Sequence, residues 1–197
     1  MMGDQWEDGP RVAAKLNDLQ ALLSAWTAVK SLISRQDIHD LWARHVEDSL
    51  QAAPLIEPGT TRAIDIGSGA GFPGLIIALA TGVHVDLFES NKQKAAFLRE
   101  AIRVTGAPAA VQAVRIEDSR LPPAPLITAR GVSALPVLLA SAVPALAPGG
   151  ICLFHKGAGY EAEVEAARQH WRMRVRTYPS RTGAGAVILR LSEITRR

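Results

Sequence analysis

Val12, Leu16, Leu19, Leu23, Trp26 and Val29 or Lys30 recur at intervals of three or four, which predicts an amphipathic helix early in the chain. A second helix is expected to start at Asp37 as N-cap, with Asp40 in its first turn, and to run to about Ala53; Pro54 and Pro58-Gly59 then end it. Beyond residue 58 short apolar runs alternate with longer amphipathic ones. Strands are predicted at Ala63 to Ile66, Val83 to Phe88, Ala110 to Val114, Leu126 to Thr128, Ile151 to His155, Arg172 to Tyr178 and Ala186 to Leu191. Helices are predicted at Pro73 to Ala80, Lys92 to Thr105, Ser133 to Leu146 and Tyr160 to Gln169. Five strand–helix alternations imply a parallel sheet covered on both faces. Only a turn, Pro179 to Gly185, parts the last two strands, so they should pair as an antiparallel hairpin at the sheet edge. The expectation is an α/β, Rossmann-like fold with a seven-stranded, mostly parallel sheet. Residues 1–58 form a helical extension and 59–197 the α/β domain, in one compact unit.

Within that pattern the run Ala63-Ile64-Asp65-Ile66-Gly67-Ser68-Gly69-Ala70-Gly71-Phe72-Pro73-Gly74 passes from a buried strand through glycines into a helix. Glycines let the backbone turn sharply and approach a ligand closely, which marks a nucleotide-derived cofactor site. Gly69, Gly71 and Gly74 satisfy the dinucleotide spacing G-x-G-x-x-G, so a nicotinamide enzyme must be weighed. Asp65 at the strand end opposes a pyrophosphate by charge, and Pro73 removes an N–H that a phosphate would want. S-adenosylmethionine carries a sulfonium and an amino group and no phosphate, and suits the loop better. The terminal hairpin agrees, since a dinucleotide dehydrogenase normally continues with another parallel unit. The fold therefore reads as a class I S-adenosylmethionine-dependent methyltransferase.

The chain has 197 residues, 48% hydrophobic and 21% charged, as an ordinary globular protein does. Met1 to Pro10 holds Asp4, Glu7 and Asp8 without an apolar run, which is neither a secretory signal nor a basic transit peptide. The apolar tracts Phe72 to Val83 and Ala134 to Ala147 are too short, or too interrupted by Pro136 and Pro144, to span a bilayer, so a cytoplasmic protein is expected. The single cysteine, Cys152, excludes an internal disulfide and reads as core. A net charge of +3 permits a nucleic-acid partner without requiring one. Arg172, Arg174 and Arg176 alternate along one strand and read as a solvated edge face, with RNA contact as the alternative.

Glu89 ends the second strand about twenty residues beyond the glycines, where this fold sets a carboxylate against a ribose diol. Ile116 and Glu117 follow the third strand and are expected to line an adenine pocket. Arg130 and Lys156 end later strands, so that Asp65, Glu89, Glu117, Arg130 and Lys156 converge on the ligand-binding edge of the sheet. On the second helix Arg44 and Asp48 can pair, while His45 and Ser49 share a face; His45 reads equally as a core or a site residue. The helix lacks a two-histidine metal motif, and no metal is expected.

Arg44-His45-x-x-Asp48-Ser49-Leu50, the Asp65 to Gly74 loop, Glu89-Ser90 with Lys94 and Phe97-Leu98, Arg115-x-Glu117, Ala129-Arg130 and Lys156-Gly157 occur in that order. Together they resemble the bacterial small-subunit rRNA guanine-N7 methyltransferases, the GidB family, over roughly residues 12 to 191. The resemblance implies S-adenosyl-L-methionine, released as S-adenosyl-L-homocysteine, held by Gly67, Phe72, Ile116, Glu117 and Arg130. With the loop reading, Asp65, Gly69, Gly71 and Glu89 join that set. The resemblance implies methylation of one guanine, number 527, in the 530 loop of 16S rRNA, within the 30S subunit or an assembly intermediate; a monomer without membrane contact is expected. Arg130 and Lys156 would position the base or neighbouring phosphates, with His45 and Asp48 beside them and Arg115, Lys94 and Lys156 on the RNA. Ser31, Gln93 and Gly131 depart from the family pattern, as does Gly183-Ala184-Gly185-Ala186, which lacks a basic residue before the last strand. N7 carries an in-plane lone pair, so no base is needed to remove a proton before attack.

Overall fold

A computed structural model describes residues 9–30 and 42–197. The expected helix start at Asp37 and Asp40 and the departure at Ser31 lie outside the described residues. Helix α1 (Gly9–Lys30) buries Val12, Leu16, Leu19 and Leu23, the stripe its spacing predicts. A π-helical turn, Trp42–Glu47, continues into an α-helical turn, Asp48–Leu50; together they are α2. The sequence pattern predicts an unbroken α-helix here. A π turn closes i to i+5 rather than i to i+4, so it widens the helix and re-aims the side chains that follow, and such turns favour functional sites.

The sheet has the order β3-β2-β1-β4-β5-β7-β6. Its strands are β1 (Arg62–Ile66), β2 (His84–Phe88), β3 (Ala109–Gln112), β4 (Ala124–Arg130), β5 (Leu146–Lys156), β6 (Trp171–Pro179) and β7 (Val187–Arg196). The first five pair in parallel. The hairpin is antiparallel as expected, with β7 slotted between β5 and the edge strand β6. Four strands depart from the sequence pattern, and β4 runs two residues beyond each end of the predicted Leu126 to Thr128. β5 begins five residues early because Leu146 already pairs with Ala124; the register then shifts across Pro148-Gly149-Gly150, where Gly149 has φ of +75° and Gly150 is pressed so close to β4 that a Cβ would sit 2.8 Å from the Pro125 carbonyl oxygen. β7 runs on to Arg196, where polar residues paired along β6 hid the strand. β3 stops at Gln112 and leaves Val114 exposed.

Helices α3 (Gly74–Thr81) and α4 (Lys92–Thr105) cover one face of the sheet together with α1. There Trp26 meets Phe97 edge to face, with ring centroids 5.6 Å apart. Helices α5 (Leu135–Ala142) and α6 (Tyr160–Arg168) cover the other face. Strand β1 is therefore buried on both sides from Ala63 to Ile66. Phe97 on one face and Phe154 on the other are fully buried, and truncating either to alanine costs about 3–5 kcal/mol. Cys152 lies inside the second core, and burial pushes its thiol well above the ordinary range, so it serves packing. On β6 the arginines 172, 174 and 176 are exposed while Trp171, Met173 and Val175 turn inward, and Arg174 pairs with Glu193 at 3.0 Å. Among the described residues no helix is long and apolar enough to cross a membrane.

Candidate active site

At the carboxyl ends of β1 and β2 the glycine loop forms one wall of a cleft of about 240 Å³. Gly67 has φ of +66°, and a Cβ there would lie 2.7 Å from Val132 Cγ2, so only glycine fits both the turn and the close approach. Glu89 joins the loop to the next helix: its Oε2 accepts from the Gly69 N–H at 2.9 Å and its Oε1 from the Asn91 N–H at 2.7 Å. A carboxylate offers about four lone-pair sites, so two remain for ligand hydroxyls. Ile116, Glu117 and Arg115 line the far side. Glu117 accepts from Ser141 Oγ, and that hydrogen bond holds its carboxyl below the usual range. Four large hydrophobic residues are exposed among the described residues, and three of them, Val114, Val132 and Val137, line this cleft. Such clustering marks a surface built to be covered.

Asp65 occupies a different place from the one expected. It is fully buried behind the loop, where Oδ1 accepts from Thr128 Oγ1 at 2.6 Å and Oδ2 lies against Gly74, at which a Cβ would come within 2.7 Å of that oxygen. Burial pushes its carboxyl up from the ordinary 3.8 to about 6. The Asp65 carboxylate thus braces the loop from behind rather than facing a ligand in the cleft. Gly74 is present because Asp65 leaves no room for a side chain.

A second cleft, of about 510 Å³, opens at the ends of β4 and β5. Arg130 is gripped on several sides. It donates through Nη1 to Asp48 Oδ2 at 3.2 Å and to the Arg44 carbonyl at 3.1 Å, and Nη2 lies 2.7 Å from His45 Nδ1. Its guanidinium also sits 5.1 Å from the centre of the Phe72 ring, against which the His45 ring is stacked. Asp48 is the hub. Its Oδ1 accepts from Ser180 Oγ and Thr182 Oγ1, both at 2.9 Å, so the β6–β7 loop is fastened to α2. Burial alone would raise the Asp48 carboxyl, but the neighbouring His155, these two hydroxyls and Arg130 outweigh it and hold the group below the usual carboxylate range. Burial drives His155 below the ordinary imidazole range, despite Asp48. Its Nε2 lies 3.0 Å from the Asp48 carbonyl oxygen, which calls for the neutral tautomer with the proton on Nε2.

The structure brings Arg130, His45, Asp48 and Lys156 to one cleft and its rim, and Gly67, Glu89, Ile116, Glu117 and Arg115 to the other. Gly69 and Gly71 shape the loop, and Phe72 supports Arg130 from below. Lys94 stands in the first turn of α4, where its backbone N–H is capped by Asn91. Lys156 differs from expectation, because its Nζ is already bonded to Glu163 and to the Ser133 carbonyl. Sequence reasoning missed His155, Glu163, Ser180 and Thr182. His155 sits in an apolar strand run, Glu163 in an acidic helix and the two hydroxyls in a turn, so only the fold reveals them. Val132 and Ser133 line both clefts.

The chain is 50% identical over 184 residues to the ribosomal RNA small subunit methyltransferase G of Acidiphilium cryptum (strain JF-5), covering 92% of this chain and 85% of that protein. It is 48% identical over 183 residues to the protein of that name from Rhodospirillum centenum (strain ATCC 51521 / SW), covering 93% and 85%. Among solved structures, the O-methyltransferase from Bacillus cereus in complex with SAH superposes with a TM-score of 0.61 at 13% identity, over 90% of this chain and 91% of that one. M. jannaschii TYW2 in complex with AdoMet superposes with a TM-score of 0.58 at 17% identity, over 78% and 76%. These two likenesses establish the fold, which is the Rossmann-like methyltransferase fold expected. The profile of the GidB family, rRNA small subunit methyltransferase G, matches residues 12–184, and the chain belongs to that family.

Proposed function

We propose that the chain transfers a methyl group from S-adenosylmethionine to N7 of guanine 527 in the 530 loop of 16S rRNA. It acts as a cytoplasmic monomer on the 30S subunit or an assembly intermediate. The observation that carries this reading is the meeting of two chemically unlike clefts along Val132 and Ser133. The smaller cleft fits a nucleoside. Its three exposed valines and Ile116 offer apolar surface to a base, Glu89 retains acceptors for a ribose diol, and Gly67 allows the backbone close to the rest. S-adenosylmethionine supplies an electrophilic methyl on a sulfonium.

The larger cleft suits an acceptor that needs orientation rather than deprotonation. Its ionisable groups are already committed: His155 is neutral with Nε2–H turned to the Asp48 carbonyl, and Asp48 is ionised and bonded to Arg130. Guanine N7 needs no proton removed, so holding the base in line and excluding water is enough, and positioning of that kind contributes several kcal/mol. Arg130 would orient the base through O6 or a neighbouring phosphate, leaving N7 free.

The test is transfer of labelled methyl to 30S subunits, their assembly intermediates and naked 16S rRNA from cells lacking this gene, followed by mapping of the labelled nucleotide. The expected result is 7-methylguanine at position 527. Label on another base, or at another atom of guanine, overturns the proposal. Arg130→Ala is expected to lose transfer, and full activity in that variant removes Arg130 from the site.

A further inference from the structure

The loop that divides the clefts is held by a device that neither cleft explains. Gly131, with φ of +65°, turns the chain sharply out of β4. Val132 then stands over Gly67, and Ser133 and Ala134 lead into α5. Ala134 has no side chain to cap that helix, whose first N–H, from Leu135, is bonded instead to Glu163 Oε2 at 2.7 Å. The same oxygen accepts from Lys156 Nζ at 2.6 Å, and Lys156 donates again to the Ser133 carbonyl at 2.6 Å. A single carboxylate on α6 thus grips the loop once through the helix start and once through a lysine at the end of β5. The Lys156 side chain is only 9% exposed and that of Glu163 30%, so the lysine end of the ion pair is shielded from solvent.

We infer that Glu163 is a positioning residue for methyl transfer: through Lys156 and the Leu135 N–H it fixes residues 131–134, the partition across which donor and acceptor face each other. The inference rests on the two-cleft reading above. It gives Lys156 a role that does not pass through the RNA. Two of the three ammonium donors already serve the loop. A displacement of such a partition by about 1 Å is enough to cost on the order of a hundredfold in rate.

Glu163→Gln keeps an acceptor for the Leu135 N–H and loses the ion pair, whereas Glu163→Ala loses both bonds. The full chain is assayed for methyl transfer to 30S subunits, for KM toward the subunit, and for S-adenosylmethionine affinity by calorimetry. Glu163→Gln and Lys156→Gln should each lower kcat about tenfold and weaken cofactor binding about threefold, with KM for the subunit unchanged. The double variant should be no worse than either alone, because the two residues act as one unit. Glu163→Ala should lose about a hundredfold. Additive losses in the double variant overturn the inference. So does a Lys156→Gln variant that raises KM and flattens its salt dependence while Glu163→Gln behaves as wild type, since Lys156 would then hold RNA directly. A fall in melting temperature with kcat and cofactor affinity unchanged also overturns it. Failure of the guanine reading is seen separately, as wild-type protein that labels no guanine N7, and the cofactor-affinity series still decides the role of Glu163.

Discussion

The walls of the cleft proposed for the cofactor come from short loops at successive strand ends, and the hydrogen bonds of its lining side chains join Gly69 to Glu89, 20 positions away, and Ser141 to Glu117, 24 positions away. The cleft proposed for the acceptor is assembled differently: His45 and Asp48 bond partners 82 to 134 positions away. The first relies on backbone shape and exposed apolar surface, the second on charged side chains that hold one another. A cleft made of backbone tolerates side-chain change and fails when a Cβ is added. A cleft made of interlocked charges fails when any one partner is removed, because a buried charge then loses part of its compensation.

The largest expected effect tests that contrast on the charged side. Asp48→Ala removes a carboxylate from Arg130 and takes from the Ser180 and Thr182 hydroxyls the oxygen they share, a loss of about 3–5 kcal/mol. Methyl transfer should collapse while calorimetric affinity for S-adenosylmethionine stays within about threefold of wild type, at the RT ln scale of binding. Equal losses in both would erase the distinction between the clefts.

Asp65 tests the brace behind the glycine loop through pH. Its carboxyl titrates near 3.8 in the unfolded chain and at about 6 in the fold. Between those values the folded protein holds a proton that the unfolded chain has released. The stabilising contribution is therefore complete below about pH 4 and is lost as pH rises through about 6, by at most about 3 kcal/mol. Asp65→Asn keeps the link to Thr128 without the charge. Chemical denaturation across pH 4 to 7 should show wild type losing stability relative to the variant, and a difference independent of pH would sink this account.

Gly67→Ala forces a side chain into a left-handed backbone conformation and against Val132, at a cost of about 1–2 kcal/mol. Cofactor affinity should fall about tenfold or more, with no change in KM for the subunit. The smallest effect expected is that of Val137→Ser, which removes part of an exposed apolar wall and should weaken cofactor binding by about 1 kcal/mol or less. A larger effect on RNA than on cofactor would assign that wall to the wrong cleft.

This contrast also explains how far the sequence could be read. The glycine loop, Glu89 and Ile116-Glu117 are contiguous signals on elements whose type follows from apolar periodicity, and the loop reaches the cleft the pattern predicts. The hairpin was legible because a turn-rich segment separates two apolar runs. The π turn at Trp42–Glu47 was not, since its residues still carry helical periodicity. His155, Glu163 and Thr182 gain their roles from neighbours across the sheet. Asp65 illustrates the opposite limit: its position was legible, but its direction, away from the cleft, depended on Thr128 and Gly74 closing around it.

The fastening of Ser180 and Thr182 to Asp48 also orders the protein's assembly in time. As a nascent chain leaves the ribosome from its N-terminus, the residues that line the smaller cleft have all been made by Ser141, and Lys156 and Glu163, which steady its partition, follow soon after. Asp48, made long before, must wait until residue 182 has emerged to find its hydroxyl partners. A translation product stopped short of the hairpin would carry the lining of the smaller cleft without the fastening that shapes the larger one, so under the proposed reading the means to bind donor precedes the competence to modify.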